Sequence, residues 1–286
     1  MQEKNALTYV DGEWIKGNPP LLSALSHATW LASMVFDGAR AFDGVAPDLD
    51  QHCRRVVESA RAFGLRPMLD GPEITALAWE GIRQFPEDVE LYVRPMYWGE
   101  TGFVIPDPES TRFALVINES PIPKPTGFSV CLSSYRRPAA NTAPTDAKAS
   151  CLYPNAARAL REAHDKGFDN AVVLDLLGNV AELATANLFI VKDGVAITPV
   201  PNGTFLNGIT RQRIIRLLRA DGVEVVERVV TYPEVCDADE LFSTGNFAKV
   251  SPIIRVEDRD LQPGPVAKRA RALYFAFAKE AGTKGD

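Results

Sequence analysis

Three stretches of this sequence carry groups able to do covalent or acid–base work. Lys148 lies in "TDAKASCLYP", between the loop-like run "RRPAANTAPT" and a small-residue segment that turns helical. Its neighbours are Ala, Ser, Cys and Leu, not the mixed charges usual around a surface lysine. Two readings stand: a solvated loop lysine, or a partly desolvated amine able to attack a carbonyl. Tyr153, five residues on, could turn its phenol toward the same cavity. Glu182, in "NVAELATANLF", is a carboxylate inside an otherwise apolar strand, so it needs a partner there.

Anion sites come next. In "TFLNGITRQRIIRLL", Gly208 ends a loop and Thr210 stands where a helix begins. The free N–H groups of Ile209 and Thr210 could cradle an anion, or the segment is a plain N-cap. "FSTGNFAKVSP" (242–252) reads as a second loop of Ser, Thr, Gly and Asn after a strand. It too could present backbone amides, or simply turn. A nucleophilic lysine, anion-binding loops and an isolated carboxylate are the parts that Schiff-base chemistry on pyridoxal phosphate needs. Glu182 would then face either a pyridinium N–H or a structural arginine. Arg40, Tyr92 and Arg94 lie in strand-like stretches, as site groups or as ion-pair and core residues; Phe36 is core or pocket wall.

The bulk of the chain suits a folded scaffold for such a site. It has 286 residues, 46% hydrophobic and 24% charged, which is ample for a sizeable core. The formal net charge of −6 implies no general attraction to nucleic acid. Four cysteines without a CxxC pair and three histidines without ligand spacing predict neither a disulfide framework nor a metal site. The N-terminus lacks a basic-then-apolar signal, and no run approaches 18 apolar residues. A cytoplasmic protein with no membrane partner is expected.

The elements that must position the site follow from periodicity. "ALTYVDGEWI" reads as a hairpin about Asp11-Gly12. "LDQHCRRVVESARAFGL" (49–65) is a helix stopped by Gly64, and "GPEITALAWEGIRQF" is a second. "VELYVRPMYWG" and "TRFALVINES" read as strands. The Pro-rich "SPIPKPTGF" breaks the pattern and marks a linker at 118–127, between a domain 1–117 and a domain 128–286. Beyond it come a strand "FSVCLSSYRR", a helix "NAARALREAHDKGF", and strands punctuated by Gly178-Asn179 and Asp193-Gly194. The helix "TRQRIIRLLRADGV", the strand "VEVVERVV" and a terminal helix complete the chain. The expected class is α+β, two domains built on antiparallel hairpins instead of a βαβ array.

Taken in order, these segments resemble a known family. "AKASCLYPNAARALREAHDKGFDNAVVLDLLGNVAELATANLFIVKDGVAITP", then "FLNGITR" and "STGNFAKVSPI", are similar to the large domain of the fold-type IV, class IV aminotransferases, and of these to the branched-chain aminotransferases. "HATWLASMVFDGARAFDG", "HCRRVVESA" and "YVRPMYWG" resemble that family's small-domain landmarks. The resemblance implies a small N-terminal α/β domain, a larger pseudo-barrel domain that binds pyridoxal 5′-phosphate, and a homodimer. It makes Lys148 the cofactor-linked lysine and proton shuttle, Tyr153 the partner of the cofactor O3′, and Glu182 the partner of the pyridine nitrogen. Arg55 and the amides of Ile209 and Thr210 would bind phosphate, with Asn246 where a threonine is commoner. Leu31, Phe36, Arg40, Tyr92, Arg94 and Phe247 would shape the substrate pocket.

The pattern also departs from the family. A Tyr-Gly pair is usual where Leu31-Ala32 stands, "ELATAN" replaces an "EGxGEN"-like stretch, and Phe247 is bulkier than the usual residue. A hydrophobic wall discriminates by only ~1–3 kcal/mol per methylene. The implied reaction is amino transfer between a hydrophobic or branched-chain L-amino acid and a 2-oxo acid such as 2-oxoglutarate. An (R)-selective amine or D-amino acid transaminase is the alternative on this fold. An aminodeoxychorismate lyase, or a non-catalytic pyridoxal phosphate-binding protein, stands further off.

Overall fold

The computed structural model describes residues 5–281. They form two compact units. One runs to Ile122 and takes in Asp146–Cys151 and the chain from Ala278; the other comprises Pro123–Thr145 and Leu152–Phe277.

The first unit begins with the expected hairpin, β1 (Ala6–Val10) and β2 (Glu13–Lys16). Asp11 and Gly12, with φ of 53° and 88°, make its turn, since paired positive φ matches the twist of the flanking strands. α1 (His27–Leu31), β3 (Met34–Phe36) and β4 (Ala39–Ala41) follow. Then come α2 (Leu49–Ala62) and α3 (Gly71–Ile82), and β5 (Leu91–Gly99) and β6 (Thr111–Glu119). The strands make one sheet in the order β2-β1-β6-β5-β3, with β4 also on β5. α2 buries Leu49, Cys53, Val56, Val57 and Ala60, one stripe at helical spacing, and Gly64 (φ 70°) ends it. α3 starts at a capping box in which Asp70 accepts from the Glu73 N–H and Glu73 accepts from the Asp70 N–H.

The second unit contains β7 (Phe128–Arg136), α4 (Tyr153–Asp165), β8 (Asn170–Leu174), β9 (Val180–Leu183), β10 (Asn187–Lys192) and β11 (Val195–Pro199). It continues with α5 (Ile209–Ala220), β12 (Val225–Arg228), α6 (Tyr232–Asp237), β13 (Glu240–Gly245), β14 (Lys249–Val256), β15 (Arg259–Asp260) and, as far as Phe277, α7 (Pro265–Ala281). Its sheet runs β12-β11-β10-β13-β14-β7-β8-β9, with β15 on β14. The last strand, β9, returns against β10 and β11, so the sheet curls into a half-barrel. One face packs Phe189 and Phe242, stacked at 4.8 Å, against Ile214, Leu218, Ala270 and Tyr274 of α5 and α7.

Two expectations need correction. The larger sheet is not built from antiparallel hairpins alone. β7–α4–β8 and β11–α5–β12 are parallel pairs joined through a helix, and β14 lies parallel to β7. A parallel pair cannot be closed by a tight turn, and α4 and α5 are the crossovers that it requires. Secondly, 242–252 is no open loop. β13 runs through Gly245 and β14 resumes at Lys249, so only Asn246–Ala248 turn. The Ser and Thr side chains of this stretch sit on paired strands, where ladder hydrogen bonds overrode a loop-like composition.

Candidate functional site

In the first unit Lys148 is held by its backbone. Its N–H donates to Ser59 Oγ of α2 at 3.1 Å, and its carbonyl accepts from the Phe36 N–H at 3.0 Å. Ala149 bridges Val35 of β3. The main chain is pinned at both ends, and Nζ lies 5.1 Å from the centre of the Phe36 ring. Beyond β3, Arg40 and Tyr92 face each other across the β4–β5 pair. The Arg40 and Arg94 guanidinium carbons stand 5.7 and 5.2 Å from the Tyr92 ring centre. Phe36, Arg40, Tyr92, Arg94 and Lys148 are thus gathered on β3, β4, β5 and the strap that follows them in space. Leu31 is exposed at the end of α1. Ala32 after it adopts φ 58°, a left-handed position that favours the glycine usual there.

Gly38 is what admits Tyr92. A Cβ at Gly38 would sit 2.2 Å from Tyr92 Oη and 2.7 Å from Cζ. Overpacking of this kind costs about 1–3 kcal/mol. Gly38→Ala is expected to displace the Tyr92 ring and to lower Tm by ~2–4 °C per kcal/mol lost. A thermal melt and a crystal structure of the variant check this, and an unmoved ring with an unchanged Tm would contradict it.

Arg55 is oriented by a residue that the sequence reading passed over. Its Nε donates to Asp37 Oδ2 at 2.6 Å and its Nη2 to Asp37 Oδ1 at 2.9 Å. The same Oδ1 meets His52 Nδ1 at 2.7 Å and accepts from the Gly38 N–H at 2.7 Å. Asp37 is fully buried. Burial by itself would push its carboxyl up, but the Arg55 guanidinium and the His52 ring outweigh that and hold it well below the usual carboxylate range. The cue was present: Asp37 interrupts the apolar run "MVFDGA" as Glu182 interrupts its strand.

The second unit carries other predicted groups. Glu182 Oε1 lies 3.3 Å from Arg137 Nε, so a structural arginine is indeed beside it. Its Oε2 accepts from Asn187 Nδ2 at 3.3 Å. Asn187 also donates to the Leu206 carbonyl at 3.1 Å, and its Oδ1 fills the space where a Cβ on Gly208 would lie, 2.1 Å away. Gly208 is the N-cap of α5 and has no side chain to occupy the helix end. The first two helical residues are Ile209 and Thr210, both buried. Their N–H groups and the helix dipole make this end an anion seat.

Next to it in the sheet, Thr244 pairs with Asn187 across β13 and β10. Thr244 Oγ1 and Asn246 Nδ2 are buried with no hydrogen-bond partner among the described residues. Orphaned buried donors of this kind ask for a ligand. Uncapped amides, a hydroxyl, an amide donor and a carboxylate in an apolar strand fit a phosphorylated heteroaromatic group such as pyridoxal phosphate. Tyr153 is the exposed first residue of α4, which begins two residues before the predicted "NAARALREAHDKGF". Phe247 is exposed at the tip of the β13–β14 turn. Arg137, Asn187 and Lys249 were not foreseen; Lys249, with apolar flanks like those of Lys148, carried a legible cue.

Comparison with known proteins agrees with this chemistry. Residues 34–256 match the family model described as amino-transferase class IV. The crystal structure of an aminotransferase from Brucella abortus bound to the cofactor PLP superposes with a TM-score of 0.95. It is 54% identical, and the alignment covers 96% of this chain and 100% of that one. The branched-chain aminotransferase of Thermoproteus uzoniensis, solved with norvaline, is 28% identical with a TM-score of 0.88, over 99% of this chain and 96% of that one. The branched-chain-amino-acid aminotransferase of Pseudomonas aeruginosa is 32% identical, over 96% of this chain and 94% of its own.

Proposed function

Because this chain belongs to the class IV aminotransferases, we propose that it moves an amino group between a hydrophobic or branched-chain L-amino acid and a 2-oxo acid such as 2-oxoglutarate, with pyridoxal 5′-phosphate as cofactor. The observation that carries the reading is an amine, Lys148, held by its main chain beside Phe36, on a unit that also sets two guanidinium carbons 5.7 and 5.2 Å from the Tyr92 ring centre. Pyridoxal phosphate, when bound, supplies an electron sink for charge that develops on the substrate α-carbon. The chain's own residues do the rest. Lys148 anchors the cofactor and carries the α-proton on Nζ. Glu182 accepts from the ring N–H and keeps it protonated, while Tyr153 donates to the ring oxygen. Arg55, oriented by Asp37, binds phosphate together with the Ile209 and Thr210 amides and Asn246. Leu31, Phe36, Arg40, Tyr92, Arg94 and Phe247 are assigned to the substrate.

A second reading, an (R)-selective amine or D-amino acid transaminase, is favoured by Leu31 and Phe247, both exposed and both departures from the family pattern. A donor panel of L-leucine, D-alanine and a chiral aryl amine separates the two. Turnover with L-leucine and 2-oxoglutarate is the expected result; reaction with only the (R)-amine or D-acid replaces the first reading with the second. We also propose a homodimer, supported by the exposed side chains of Leu25, Trp30, Phe103, Val104 and Ile105 on the first unit. Among the described residues no helix is long and apolar enough to cross a membrane. A cytoplasmic setting is supported by the free thiols of Cys53, Cys131, Cys151 and Cys236.

A further inference from the structure

Lys249 has no part in the roles above, yet its surroundings are specific. It opens β14 directly after the Asn246–Ala248 turn and is 1% exposed. Its φ of 61° is a left-handed conformation that is unfavourable for any residue with a Cβ, so surrounding structure must hold it there. Nζ lies 5.4 Å from the centre of the Tyr274 ring and donates to Asn246 Oδ1 at 2.7 Å.

That contact decides which way the Asn246 amide points. An ammonium has donors and no acceptor, so it can meet only the carbonyl oxygen of the amide. Nδ2 is thereby turned to the other side, where it is buried and finds no acceptor among the described residues. Leaving such a donor unpaired costs free energy. That cost is explained if an anion arrives at Nδ2. The turn continues from Thr244, whose own hydroxyl is orphaned. Thr244 pairs with Asn187, and Asn187 abuts Gly208 at the start of α5. The amide therefore belongs to the phosphate seat at that helix end more than to a site for a substrate carboxylate.

We propose that Lys249 is a positioning residue, one that fixes the orientation of Asn246 so that its amide N–H donates to the cofactor phosphate. The proposal rests on the cofactor reading given above. Affinities of the cofactor-stripped enzyme for pyridoxal phosphate and for pyridoxal, which lacks the phosphate, test it. Lys249→Met is expected to weaken pyridoxal phosphate about tenfold, the worth of one hydrogen bond to a charged group, and to leave pyridoxal within about twofold. Asn246→Ala is expected to cause a similar loss, and adding Lys249→Met to it should cost nothing more, because one residue acts through the other.

Equal losses for the two ligands, additive losses in the double variant, or a change confined to KM for the amino acid would overturn the proposal. Should Lys249→Met fail to fold, Asn246→Asp serves. It keeps the volume and the contact with Lys249 but replaces the donor by an acceptor oxygen. It is expected to weaken pyridoxal phosphate at least about tenfold with pyridoxal spared; full retention of pyridoxal phosphate affinity refutes the idea. A wild-type protein that takes up neither ligand refutes the cofactor reading itself, which is a different outcome from a wild type that binds while Lys249→Met is unaffected.

Discussion

Lys148→Ala loses turnover by about 10⁴-fold or more, since the variant lacks both the nucleophile and the proton carrier. Amino transfer from L-leucine to 2-oxoglutarate and the visible absorbance of bound cofactor measure it. The loss is expected without unfolding. The contacts that hold residue 148 to Ser59 and Phe36 are made by the main chain, and alanine keeps them. What disappears is the ammonium beside the Phe36 ring. A cation–π contact at a partly exposed site is worth about 0.5–1 kcal/mol. Near-normal transamination by this variant would sink the functional assignment.

Asp37→Ala strikes stability. Removing one member of a buried ion pair costs about 3–5 kcal/mol, because the remaining charge is left uncompensated. Here Arg55 and His52 both lose their contact with the buried carboxylate. The pH dependence has a defined sign. The folded carboxyl is held below its unfolded value, so its contribution is fully present above the unfolded pKa, ~3.9. It is lost as pH falls from there through the depressed folded value. Below about pH 5, urea unfolding of wild type and variant should show the gap narrowing by about 1 kcal/mol at pH 3. A gap that widens between pH 5 and pH 3 would mean that Asp37 is not the stabilising charge. Arg55, released from its fork, should also bind phosphate less well.

Much of the local structure was legible because periodicity is a local property. The stripe of Leu49, Cys53, Val56 and Ala60 makes α2 whatever surrounds it, and Gly64 can end it because only a residue tolerant of positive φ can. Asp11-Gly12 selects a hairpin by the same logic. The misread stretch 242–252 failed for a related reason: Ser and Thr suit both turns and strands, and partners across the sheet made the choice.

The residue types at the site were equally plain. A lysine among small apolar neighbours and a carboxylate in an apolar strand are expensive to bury, and such expense points to chemistry. By itself, then, the sequence determined the elements and the kinds of reactive group. Tertiary structure alone decided their partners: Asp37 for Arg55, Arg137 and Asn187 for Glu182, and Lys249 for the orientation of Asn246. It also decided that α4 and α5 cross over between parallel strands. These pairings join residues that meet only through strand register and helix docking, so they depend on the relative placement of whole elements, which no window of local sequence encodes.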